Sequence, residues 1–243
     1  MAAISNPILE QYAKLTRFLG LALGPDYEVV LHDLTDKNRS IVAIANNHVS
    51  GRELGAPLTN MALRILQNRS YETSDFRLHD HGVSADGREL RSNTMFIKQD
   101  GRLIGMLCIN FDDSRFLDVS AQLMGLCHPD TFVSSVMPRL GNSDPAPPTA
   151  PPLPPEKYRN TTEAVARDAV HRELEQMGVS ADRLTAEERM RIISALEAGG
   201  IFLLKGAVKD AAAELRCSQA SVYRYLSQIK SEHADHGDIG SLL

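Results

Sequence analysis

Apolar residues recur at two different periods along this chain, and each period marks a type of element. Over 7–23 the spacing is helical, with Ile8, Tyr12, Leu15 and Leu19 on one side. Residues 27–32 (YEVVLH) and 40–45 (SIVAIA) are short and rich in β-branched side chains. The polar turn DLTDKNR separates them, so they read as two strands. A helix is predicted over 57–67, with Pro57 in its first turn and Leu58, Met61, Ala62, Ile65 and Leu66 as its stripe. Residues 90–98 and 103–110 read as a hairpin around Gln99-Asp100-Gly101, and 114–126 as another helix. The polar stretch that carries His79 and His81 reads as a loop ahead of Gly82.

These elements predict an α+β domain over 1–137, a small antiparallel sheet flanked by helices, the build of PAS and GAF domains. The pattern then stops. Eight of the twelve prolines lie between Pro138 and Pro155. Proline fixes φ and lacks the N–H, so this stretch is neither helix nor central strand. At about 3.1 Å per residue it spans on the order of 30 Å across 145–155, which makes 138–158 a semi-rigid linker.

Beyond the linker, over 159–243, only helical spacing is found. A charged amphipathic helix is predicted over 161–177. Thr185 with Glu188 is a capping box, which starts a helix that ends at Gly199-Gly200. Residues 208–215 form a short helix in which Ala211, Ala212 and Ala213 leave room for a neighbour. Arg216-Cys217 is the turn, and Ser218 is the N-cap of the next helix. On that helix Val222, Leu226 and Ile229 make one apolar stripe, while Gln219, Ser221, Tyr223 and Arg224 point elsewhere. Helix, tight turn and second helix with a polar face is the helix-turn-helix arrangement, whose second helix enters the major groove of DNA. The turn usually carries Gly where Arg216 stands, so Arg216 is expected at positive φ, a cost of about 1 kcal/mol.

The net charge of −5 gives no sign of nucleic-acid binding by itself. Between 201 and 231, however, five cations face two anions, a local excess of +3. Local charge is what phosphate contact requires. No run of about 18 apolar residues occurs, so no membrane span is expected. The start, MAAISNPILEQYAK, lacks the basic and apolar parts of a signal peptide. Cys108, Cys127 and Cys217 are scattered, as suits a reducing cytoplasm.

The stretches VVLHDL, IVAIANNHVSGRELGAPLTNMALRIL and ELRSNTMFIKQDGRLIGMLCINFD, in that order, resemble the YheO-like PAS sensor domain of bacterial transcriptional regulators. The tail ERMRIISALEAGGIFLLKGAVKDAAAELRCSQASVYRYL is similar to the helix-turn-helix domain that accompanies it. The resemblance implies a cytoplasmic transcription factor that responds to a small molecule, often in amino-acid catabolism. The family usually has Gly at Asn47 and Asp at Asn60, near the presumed sensing pocket, so the effector does not carry over from other members; it usually has Gly-Val at Arg216-Cys217, which bears on the turn alone.

Two sets of candidate residues follow. For operator DNA they are Ser218, Gln219, Ser221, Tyr223 and Arg224, with Lys209 and Lys230, and Lys205 beside them, for phosphate. Gln pairs with adenine and Arg with guanine or phosphate. For a small effector they are His32, Asp33, Asn47, His48, Ser50, Arg52, Thr59, Ser92, Thr94 and Asn110, with Asn46 and Asn93 nearby. Arg52 suits a carboxylate and Asp33 an amine, which together fit an amino acid or derivative. The competing reading of residues 46–51 is a loop whose side chains bond their own backbone.

No cofactor or metal is expected. The alternative is a metal- or haem-dependent sensor or enzyme built on the N-terminal domain, drawing on Asp75, His79, Asp80 and His81, or on Cys108 or Cys127. Neither set has a recognisable ligand or nucleophile spacing. The reading is therefore a regulator rather than an enzyme, expected to act as a repressor. Two-fold operators call for a homodimer or higher homo-oligomer.

Overall fold

The computed structural model describes residues 4–127 and 156–237. The linker prolines 138–155 lie outside the described residues. Two compact units emerge. The first takes the chain up to Leu34, then Ile41–Leu54 and Ser74–Tyr158; the second takes Thr35–Ser40, Gly55–Thr73 and everything from Arg159 onward.

The first unit is a sheet with a helix on it. Helix α1 (Pro7–Leu23) opens at Asn6, whose Oδ1 accepts from the Ile8 N–H, and Pro7 takes the first position, where a missing N–H does no harm. Strands β1 (Tyr27–Asp33), β2 (Ile41–Ala45), β3 (Phe76–Val83), β4 (Glu89–Gln99), β5 (Arg102–Phe111) and β6 (Glu156–Lys157) lie in the order β2-β1-β5-β4-β3-β6. The first five pair antiparallel, and β6 joins β3 in parallel. The β4–β5 hairpin turns at Asp100 and Gly101, both at positive φ, which matches the twist of two strands joined by a two-residue loop.

One face of this sheet is apolar. Val29, Leu31, Ile97 and Leu107 pack under Leu9 of α1, with Ile8, Tyr12 and Leu19 partly buried beside them. Leu15, expected on the same side, is exposed, because the buried line of α1 runs through Leu9, Thr16 and Gly20 and Leu15 lies off it. Gly105 allows that seating: a Cβ there would lie 2.6 Å from Leu9 Cδ2 and 2.7 Å from the His32 carbonyl oxygen. The last turn of α1 is held by Asn46, whose Nδ2 donates to the carbonyls of Gly20, Gly24 and Tyr27.

Strand β3 corrects the expected loop around His79 and His81. Its sequence, FRLHDHGV, is too polar to register as a strand. Its inward positions are filled by Arg77 and Asp80, which pair bidentately at 3.0 and 2.7 Å, both side chains 8% exposed. The register slips between them, with His79 at φ 63°, so simple alternation is broken as well. Helix α3 (Ser114–Cys127) forms as expected, yet none of its residues is buried; Phe116, Leu117, Val119, Leu123 and Leu126 are all more than half exposed.

The second unit is helical. Helix α2 (Asn60–Asn68) begins three residues later than predicted. Pro57 and Leu58 precede it in irregular chain, where the Leu58 N–H donates to the Lys37 carbonyl, and the Thr59 hydroxyl caps the helix at Ala62. Helices α4 (Thr162–Met177), α5 (Ala186–Ala198), α6 (Ala207–Glu214) and α7 (Gln219–Gly237) follow. The predicted capping box of Thr185 and Glu188 forms in full. Asn60 donates to the Val165 carbonyl, and Asn38 exchanges two hydrogen bonds with the backbone of Lys205. The early segments are thereby built into the same unit as the four later helices.

Candidate functional site

The α6–α7 pair is positioned by its turn. Arg216 sits at φ 49°, the Cys217 N–H bonds the Ala212 carbonyl and the Arg216 N–H bonds the Ala213 carbonyl. This is the Schellman closure that Gly normally provides. Arg216 also ion-pairs with Asp182 at the surface. Ser218 Oγ accepts from the Ser221 N–H at 3.1 Å and starts α7. Val222, Tyr225, Leu226 and Ile229 are buried against Ala211, Ala212 and the rest of the helical core, while Ala213 is exposed.

Flanking that buried stripe, α7 carries Gln219, Tyr223, Ser227 and Lys230, spaced three or four residues apart. They border an open groove of about 690 Å³ together with Lys205 and Lys209; its floor includes Phe202, Leu204 and Val208. Four of the seven DNA candidates (Lys209, Gln219, Tyr223 and Lys230) therefore share one face. Ser218 and Ser221 are engaged in capping, their hydroxyls 3.0 Å apart. Arg224 is exposed on the neighbouring side, 5.3 Å over the ring of Tyr225. Lys205 and Ser227 join the face; the first was legible as a local cation, the second was not.

The other grouping is the polar face of the first unit's sheet. Register places Glu28 opposite Asn110 and Asn110 opposite Ser92, with Val30, Cys108 and Thr94 in the next row. Glu28 Oε2 accepts from the Ser50 hydroxyl at 2.6 Å and from its N–H at 3.3 Å, and Oε1 accepts from Asn110 Nδ2 at 2.8 Å. Asn110 Oδ1 in turn accepts from Ser92 Oγ at 2.8 Å and from the Tyr158 hydroxyl at 3.0 Å. Arg52, 1% exposed, supplies the positive charge that acts on both Glu28 and His32.

Burial raises the Glu28 carboxyl above its ordinary pKa, against the hydrogen bonds from Ser50 and Asn110 and the Arg52 charge, which lower it. Burial also drives the His32 imidazole well below the usual histidine range, and the Arg52 guanidinium pushes the same way. His32 is thus kept neutral. Unfolded imidazole takes up its proton near pH 6.5, roughly, while the folded one does so only at lower pH. The stability contributed by His32 is therefore present above that value and is lost as pH falls through it. Replacing His32 by Gln is expected to flatten the stability profile below roughly pH 6.5, read as urea midpoints at each pH. Parallel profiles for the two proteins would refute the assignment.

Of the effector candidates, His32, Ser50, Arg52, Ser92, Thr94 and Asn110 are gathered on this buried face. Thr94 Oγ1 lies 3.4 Å from Cys108 Sγ. Asp33 is half-buried at the strand end, and Asn93 bonds the His79 N–H. Asn47 and His48 are exposed and engage backbone carbonyls of Arg52 and Pro25, so with Asn46 they act as loop fasteners. Thr59 caps α2 in the second unit. Sequence reasoning missed Glu28 and Tyr158. Glu28 shares strand parity with His32, a signal that was available; nothing local points to Tyr158. Asp80 pairs with Arg77 rather than standing with His79 and His81, and among the described residues no three His, Cys, Asp or Glu side chains converge.

Residues 3–128 match the family model of the YheO-like PAS domain, and residues 165–227 match that of an HTH domain. The protein YheO of Escherichia coli is 29% identical over 226 residues, which cover 92% of this chain and 85% of YheO. A Haemophilus influenzae protein is 29% identical over 229 residues, covering 93% of this chain and 92% of its own. The transcriptional regulator DauR of Pseudomonas aeruginosa is 28% identical over 231 residues, covering 95% of this chain and 98% of DauR.

Proposed function

Because the chain belongs to the family of YheO-like PAS domains and carries an HTH domain behind that region, we propose that it is a DNA-binding transcriptional regulator that senses a small metabolite. The observation that carries this reading is the face of α7, where Gln219, Tyr223, Ser227 and Lys230 stand beside Lys205 and Lys209. An amide, a phenol and three cations on one exposed side suit base edges flanked by phosphates. The name of DauR supports the same role.

The effector is a zwitterion of the amino-acid class. Glu28 and Arg52 put opposite charges within one buried set of hydroxyls and amides, which would pair an ammonium and a carboxylate. The protein acts as a repressor, in the cytoplasm and as a homodimer. The exposed apolar side chains of α3 support self-association, and among the described residues no helix is long and apolar enough to cross a membrane.

Full-length protein titrated against duplexes tiling the promoter of its own gene and of adjacent genes tests the reading. At fixed salt, one duplex should bind at least about 10³-fold tighter than mixed-sequence DNA. Equal affinity for every duplex would sink it. Thermal shift across the free amino acids tests the effector class separately.

A further inference from the structure

Tyr158 is the last residue of the first unit, and Arg159 the first of the stretch that continues through the second. The tyrosine is 4% exposed and clusters with Val49 and Leu90. Its ring lies over Gly82, where any Cβ would come within 2.6 Å of it. Its N–H donates to the Val83 carbonyl at 3.3 Å, extending a strand, β6, that is only two residues long. Its hydroxyl donates to Asn110 Oδ1, so it ends the chain of hydrogen bonds Ser50–Glu28–Asn110.

Arg159 pairs with Asp168 of α4, and Thr161 caps that helix at Ala164. Two residues separate the buried tyrosine from a helix cap in the DNA-binding unit. Ser50 and Arg52 likewise stand shortly before the chain leaves the first unit after Leu54. The polar cluster therefore touches the chain at two of the places where it passes between units.

We propose that Tyr158 is the protein's own occupant of the effector site and the latch of its response. The inference rests on the reading of the Glu28 cluster as that site. A ligand ammonium group satisfies Glu28 Oε1 and Asn110 Oδ1 together, replaces the tyrosine hydroxyl and frees β6 from the sheet edge. Loss of that anchor lets the start of α4 move, and DNA affinity changes with it. A strand of two residues at a sheet edge belongs to the low end of local stability.

The test uses full-length protein without effector. Tyr158→Phe keeps the ring over Gly82 and removes only the hydroxyl. It should speed amide exchange across 156–160 about 5-fold, the equivalent of one net hydrogen bond, while exchange in α5 and α6 stays as it was. Its affinity for a mixed-sequence duplex at fixed salt should shift by at least about 3-fold, equivalent to roughly 0.7 kcal/mol at RT of about 0.59 kcal/mol. Gly82→Ala, which displaces the ring from below, should shift both readouts in the same direction. Unchanged exchange in Tyr158→Phe would overturn the latch, and so would faster exchange with DNA affinity unmoved. A wild-type panel of free amino acids, ethylamine and ethanolamine, read by thermal shift, addresses the effector class independently. A flat panel refutes the ammonium reading whatever Tyr158→Phe does.

Discussion

Glu28→Ala is expected to cost the first unit about 2–4 kcal/mol, because it leaves three buried donors without an acceptor. The carboxylate faces three donors, the Ser50 hydroxyl, the Ser50 N–H and Asn110 Nδ2, and all three would lose their acceptor. Glu28→Gln keeps the shape and one acceptor, so its loss should be smaller. Urea unfolding followed by far-UV circular dichroism reads both. A loss below about 1 kcal/mol for Glu28→Ala would mean that water replaces the carboxylate and that the site is wetter than its burial implies.

The second large effect concerns the groove on α7. Neutralising both Lys209 and Lys230 to Gln is expected to lower affinity for any duplex by about 10- to 100-fold near physiological salt. The slope of log K against log salt should flatten by about 2. Both lysines are exposed, so folding stability should stay within about 0.5 kcal/mol of the wild type. Gln219→Ala should behave differently. It removes the amide best placed to read adenine, so discrimination at one base pair should fall by about 1–3 kcal/mol while the salt slope is kept. An unaltered slope in the double variant would place the phosphates elsewhere on the unit.

Elements set by a few neighbouring residues were legible without coordinates. Asp100-Gly101 specifies the β4–β5 turn, Thr185 with Glu188 the start of α5, and Arg216 the left-handed turn before α7. In each, the signal and the structure it produces lie within one turn of backbone. Strand β3 was illegible because its inward positions hold a bidentate ion pair across a register slip, so neither hydrophobicity nor alternation marks it. The start of α2 was displaced because the Leu58 N–H bonds Lys37, some twenty residues earlier, and Thr59 then caps the helix.

The two sites differ in the same way. The buried stripe of α7 follows from helical period alone, and that period also decides which residues are left on the outside. The polar cluster does not follow from any period. Asn46, Asn47 and His48 look as suitable for an effector as Ser50 and Arg52 do, yet they fasten the loop to backbone carbonyls. The amino-acid sequence by itself determined the order of elements, the PAS-like and helix-turn-helix character of the two halves, and the polar face of the recognition helix. Only the tertiary structure decided that Glu28 and Tyr158, far apart in the chain, meet at Asn110. Periodicity and capping are short-range properties of the backbone; convergence depends on strand register, and register is settled only when whole strands pair and one face is covered.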